Sequence, residues 1–218
     1  MFYRNSASTG LWAVRWLAAA VVLAAMASTA WAEEPSITRI EEDWELVIGE
    51  PSPNSDAPQV TCAVSPLSDM NSYSATFVVN HHEAPAFAAG GLQLQAWNGE
   101  TLLASRRAPN QAVLATPGET IRWTQVMKKT ADGVEFEVLN GSSTTWGGFG
   151  GEGTLKLPIA APIPNLNGYN PENSVEHSGV SYAGNRVQSL VLKRVRAYTD
   201  EGLLAEDANP RIVHSTSE

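Results

Sequence analysis

RIEEDWELVIGEP, residues 39–51, alternates apolar and polar side chains with a period of two. Ile40, Trp44, Leu46 and Ile48 fall on one face and Glu41, Asp43 and Glu45 on the other, which predicts a strand with one side in a core. Glu42 breaks the pattern by placing a charge on the side meant for the interior. The same period recurs onward from this stretch, with little helical periodicity. It predicts strands at 37–48, 59–64, 73–81, 92–97, 101–105, 120–128, 134–139, 153–157 and 186–198, and a short one around 180–182.

Two connections read as hairpins. In LQLQAWNGETLLAS the pair Asn98-Gly99 separates two apolar runs, the signature of a type I′ turn, whose two central residues both need φ > 0. In TQVMKKTADGVEFEVL, Asp132-Gly133 sits at the tip of a longer hairpin. Leu190, Val191 and Leu192 are apolar on both faces, as in a central strand. Many short strands separated by Gly, Pro, Asn and Asp clusters predict an all-β antiparallel two-sheet sandwich of jelly-roll or concanavalin-like type, with a barrel as the other option. Residues 158–185 form a long Pro-, Asn- and Gly-rich connection, expected either to bind something or to be ordered across a sheet face. Residues 203–218 lose strand patterning and read as a tail with a mobile end.

Residues 1–32 are expected to be a signal peptide. Arg4 and Arg15 precede or flank a short apolar run, and Ala30-Trp31-Ala32 supplies an A-x-A cleavage pattern. The run is shorter than the roughly 20 residues of a spanning helix, so no membrane insertion is expected once the leader is removed. Export leaves 186 residues, enough for one core, read as a domain over 33–202 followed by the tail. Losing Arg4 and Arg15 takes the net charge from −9 to −11, which excludes nucleic acid and anionic lipid as natural partners. Lys193-Arg194-Val195-Arg196 is a short basic run in a strand, read as a solvated face. Cys62, the one cysteine, allows no internal disulfide and reads as a buried, inert thiol.

Glu41, Asp43 and Glu45 resemble the E-x-D-x-E strand of laminarinase-type glycosidases. That resemblance implies a nucleophile, a helper aspartate and an acid/base on one cleft face. Retaining hydrolysis needs carboxyl groups about 5–5.5 Å apart, whereas residues i and i+4 of a strand are ~13 Å apart at Cα. Glu42 and the strand's early position also depart from the family pattern. No cofactor is expected; a calcium ion on these carboxylates is the one cation use the pattern allows. GFGGEG, residues 148–153, spells a dinucleotide fingerprint but precedes a strand rather than a helix. Its glycines fit close backbone approach around Trp146 and Phe149, with Trp146 either plugging the core or offering a sugar-stacking ring. His81, His82 and Glu83 have metal-ligand types without a further ligand fixed nearby.

Val195-Arg196-Ala197-Tyr198, with the residues around it, resembles the last strand of laminin-G-like, concanavalin A-like sandwich domains. Such domains act as lectins, adhesion modules or glycan hydrolases. The whole chain resembles small exported bacterial proteins, which implies no activity. Together these readings predict an exported non-catalytic binding module, glycan-directed, using Trp146, Asn167, Tyr169, Asn185 and Arg186. The alternatives are a glycosidase acting through Glu41, Asp43 and Glu45, and a structural protein whose exposed strand edges pair with copies of itself.

Overall fold

The computed structural model describes residues 34–50, 59–83, 90–109, 112 and 114–216. The expected leader, 1–32, lies outside them. Ser36–Glu218 forms one unit, built as two antiparallel sheets. The first strand, β1 (Arg39–Ile48), is followed by β2 (Gln59–Val64), β3 (Tyr73–Asn80), β4 (Gly91–Asn98) and β5 (Thr101–Arg107). Next come β6 (Thr120–Lys129), β7 (Gly133–Ser143), β8 (Gly147–Phe149) and β9 (Lys156–Ala160). A short helix, α1 (Pro171–Glu176), leads to β10 (Gly179–Ser181), then β11 (Val187–Thr199), β12 (Gly202–Asp207) and β13 (Arg211–Ser215). The larger sheet runs β12-β11-β1-β6-β7-β8, with β13 also on β11 and β9 also on β7. The smaller runs β10-β2-β3-β4-β5.

The sandwich expected from the alternation is the fold observed. Its inner faces meet in one core: Ile40, Trp44, Leu46 and Ile48 from β1 pack with Cys62, Phe77, Leu94, Trp123, Phe136 and Leu190, all buried. Trp44 stacks on Trp123 with ring centroids 6.3 Å apart, and Trp123 meets Phe77 of the opposing sheet edge-on at 5.4 Å. Cys62 is wholly buried, and that burial pushes its thiol well up.

Three expectations are corrected. Residues 203–215 are not a patternless tail, because β12 and β13 pair in line along β11. β12 is exposed on both faces and so has no reason to alternate, and β13 is only five residues long. The β4–β5 loop is Gly99-Glu100, not Asn98-Gly99. Only Gly99 has positive φ (57°), so the turn has the φ pattern of type II′, with glycine first, rather than I′. The strand expected at 153–157 begins at Lys156 and continues through Pro158, which β9 tolerates because it pairs only with β7 and needs no second ladder donor. Residues 158–185 follow the second of their two expected readings, ordered against a sheet: Asn170 caps α1 by accepting from the backbone N–H groups of Glu172 and Asn173, and β10, close to the short strand expected around 180–182, pairs with β2. Gly141 shows why the glycine-rich stretch is what it is. A Cβ there would lie 2.3 Å from the Phe149 ring, so the glycine is the floor on which that ring enters the core.

Candidate functional site: the charged face of the first strand

β1 lies inside the larger sheet, between β11 and β6, so its outward carboxylates face neighbouring strands on both sides. Glu41 stands opposite Arg196 and Asp43 opposite Arg194 on β11; Asp43 stands opposite Thr124 and Glu45 opposite Arg122 on β6. The basic run read as a solvated face is therefore the partner of the acidic strand.

Each carboxylate is held from several directions. Asp43 accepts from Arg194 (Nε to Oδ2, 2.8 Å), from Arg196 (Nη2 to Oδ1, 3.1 Å) and from Thr124 (Oγ1 to Oδ1, 2.8 Å). Glu45 accepts from both Nε and Nη2 of Arg122, each 2.8 Å from Oε2, and Lys193 Nζ lies 3.5 Å from Oε1. Glu41 pairs with Arg39 and with Arg196 (2.9 Å), and accepts from Tyr198 Oη at 3.0 Å. The Asp43 carboxylate, in turn, holds the Arg194 guanidinium above the usual arginine range.

Two bulges flank this lattice. On β11 the register slips between Asp43 and Trp44, so Lys193 is the extra residue beside Arg194. Across β6, the register with β7 slips between Arg122 and Thr124, where Asn140 takes a left-handed φ of 53°. Asn140 Nδ2 reaches Thr124 Oγ1 at 3.4 Å, extending the Thr124–Asp43 bond outward. Between the bulges lies a cleft of about 490 Å³, lined by Asp43, Glu45, Arg122, Thr124, Asn140, Lys193 and Arg194 over the Trp44 and Trp123 positions. Its acids and bases nearly cancel: two carboxylates meet three cations, and Arg194 also lies 4.0 Å from Glu206.

Glu42 points the other way and is wholly buried. Its Oε1 is 2.7 Å from Tyr169 Oη and 2.8 Å from Ser174 Oγ of α1, and its Oε2 accepts from Trp44 Nε1 at 3.0 Å. Ser174 Oγ also lies 2.5 Å from the Ala63 carbonyl, which can only accept. A hydroxyl has one proton, so when Ser174 donates to Ala63 the contact with Glu42 needs a proton from the carboxyl. Burial pushes the Glu42 carboxyl up, in agreement, while the bonds from Tyr169, Trp44 and Ser174 and the charge of Arg211 pull the other way. Glu42 thus pins α1 and the 158–185 connection to both sheets.

The five residues expected to bind ligand do not converge. Trp146 is half-buried and stacks on Phe149 at 5.4 Å. Asn167 Oδ1 accepts from the Ile37 backbone N–H, and Tyr169 is spent on Glu42. Asn185 is exposed beside a separate cleft near Gly49 and Gly118, and Arg186 is buried there. Tyr169 and Arg186 meet β1 near Glu42 and Gly49, a separation of ~23 Å along a strand. His81 and His82 stack on each other, and among the described residues no three His, Cys, Asp or Glu side chains are grouped to hold a metal ion. The residues that do share a cleft, Arg122, Thr124, Asn140, Lys193 and Arg194, were legible only as the polar sides of separate strands. The complementarity of acidic β1 and basic 193–196 was the available signal. No family model matches the chain, and no curated protein matches it at a significant level.

Proposed function

We propose that this protein is an exported, non-catalytic binding module whose ligand is a neutral, hydroxyl-rich glycan held in the cleft over β1. One observation carries the reading: the charged groups of the cleft already compensate one another across three strands. A charged ligand would gain little there. A polyol can instead offer hydroxyl acceptors to Arg122, Lys193 and Arg194, cations whose positions their carboxylate neighbours have fixed. The leader features of residues 1–32 support export.

Glycoside hydrolysis is the less supported use of the same face. A nucleophile or acid/base must present its oxygens to the substrate, and here Asp43 and Glu45 have theirs occupied by guanidinium and hydroxyl donors. A glycan-array screen with and without calcium, run on the wild type and on R122A/K193A, tests the proposal. The expected result is retention of a neutral oligosaccharide independent of calcium, weakened at least about tenfold by the double substitution of these two exposed cations. Release of new reducing ends by the wild type, abolished in E45Q, would establish the enzyme instead.

A further inference from the structure

Five of the six large apolar side chains exposed among the described residues belong to two edges of the sandwich: Leu102 and Leu103 on β5, and Leu203, Leu204 and Ile212 on β12 and β13. β5 ends the smaller sheet and pairs only with β4; β12 ends the larger one and pairs only with β11. β5 lies near β9, at the β7 end of the larger sheet, so the two edges are on opposite flanks. Among the described residues both present backbone donors and acceptors with no strand beside them, and nearly every residue of both is exposed.

The two edges also match in sequence. β5 reads Thr101-Leu102-Leu103-Ala104-Ser105-Arg106-Arg107, and β12 reads Gly202-Leu203-Leu204-Ala205-Glu206-Asp207. Each carries Leu-Leu-Ala, followed by a basic end on β5 and an acidic end on β12. Arg106 and Arg107 have no carboxylate partner among the described residues; Arg106 donates only to the neighbouring Ser105 carbonyl. Among the described residues Glu206 has no closer cation than Arg194, at 4.0 Å, whereas Asp207 already pairs with Arg211 at 2.7 Å. In parallel register, pairing β5 with β5 would set arginines against arginines, and pairing β12 with β12 acids against acids, both unfavourable. In that register only the unlike pairing joins apolar to apolar and base to acid.

We propose that β5 of one copy adds as a strand beside β12 of the next, parallel and in register, with Leu102 by Leu203, Leu103 by Leu204 and Arg107 diagonal to Glu206. The smaller sheet of one molecule then continues into the larger sheet of its neighbour. Because the two surfaces differ and lie on opposite flanks, the contact is heterologous and yields a ring or an open chain rather than a closed dimer. This goes beyond the glycan reading and does not depend on it.

Sedimentation over ~1 µM to ~1 mM tests the idea. The wild type should show a mass that grows with concentration past that of a dimer. R107E and E206K, both at exposed edge positions, should each associate at least about tenfold more weakly. An equimolar mixture of the two should assemble again, because each then offers the charge the other lost. L103K provides a second break of the β5 edge with the charges left intact, and it should also be monomeric. A wild type that stays monomeric, a mass that stops at two, or a mixture that fails to assemble would overturn the proposal.

Discussion

Replacing Glu42 by alanine is expected to lower folding stability by about 3–5 kcal/mol, whereas glutamine there should cost no more than about 1 kcal/mol. Alanine strips the partner from three buried groups at once, Trp44 Nε1, Tyr169 Oη and Ser174 Oγ, and opens a void between sheet and helix. Glutamine keeps the shape and one carbonyl oxygen, and it carries no charge to desolvate. The pH dependence separates this account from simple packing. The native Glu42 pKa is raised above the ordinary 4.5. The stability tied to its proton is therefore fully present below about pH 4.5 and is lost as pH rises through the native value. The titratable neighbours, Tyr169 and Cys62, are themselves pushed well up, so neither ionises in that window, and Arg211 stays charged. Wild-type stability minus that of E42Q, from urea unfolding at several pH values, should fall as pH increases from 4.5. A flat difference would mean that Glu42 is held as the anion.

The second large effect is expected at Trp44. Trp44→Ala should cost about 3–5 kcal/mol, because the ring is 1% exposed and links the larger sheet through Trp123 to Phe77 of the smaller one. Trp44→Phe keeps most of that contact and removes the indole N–H from Glu42 Oε2, at an expected cost of about 1–2 kcal/mol. Since Trp44 and Glu42 share a bond, W44A/E42A should cost less than the sum of the singles, by about 0.5–3 kcal/mol. Denaturant midpoints and slopes for the four proteins supply the cycle. Additive losses would show that the two side chains act independently.

Period-two alternation was enough to place β1 to β4, β6, β7 and β11, each of which puts side chains into the core, and the Asn98-Gly99 turn signal placed β5, whose residues are nearly all exposed. Alternation was blind where no face is buried or the strand is short. β12 is an exposed edge, β13 is a five-residue strand with only Ile212 exposed, and β8 is three residues long. α1 is too short for periodicity and is announced only by Asn170-Pro171. The position of Glu42 was legible, since the alternation puts it inside; its partners were not, because Tyr169 and Ser174 arrive from 127 and 132 residues away. The same reason hid the cleft. Asp43, Thr124 and Arg194 look like three unremarkable polar faces until the order β11-β1-β6 lays them side by side. Local aromatic and glycine signals, by contrast, drew attention to Trp146, whose ring belongs with Phe149.

The central claim is that the cleft over β1 receives a glycan while its carboxylates stay engaged with their cations. Backbone amide NMR shifts, followed during titration with the oligosaccharide retained on the array, test it most directly. The account predicts that perturbations cluster at Asp43, Glu45, Thr124, Asn140, Lys193 and Arg194 and leave Trp146 and Asn185 unmoved. Perturbations centred on the Trp146–Phe149 stretch or on the Asn185 cleft, or no saturable change with any glycan, would contradict it.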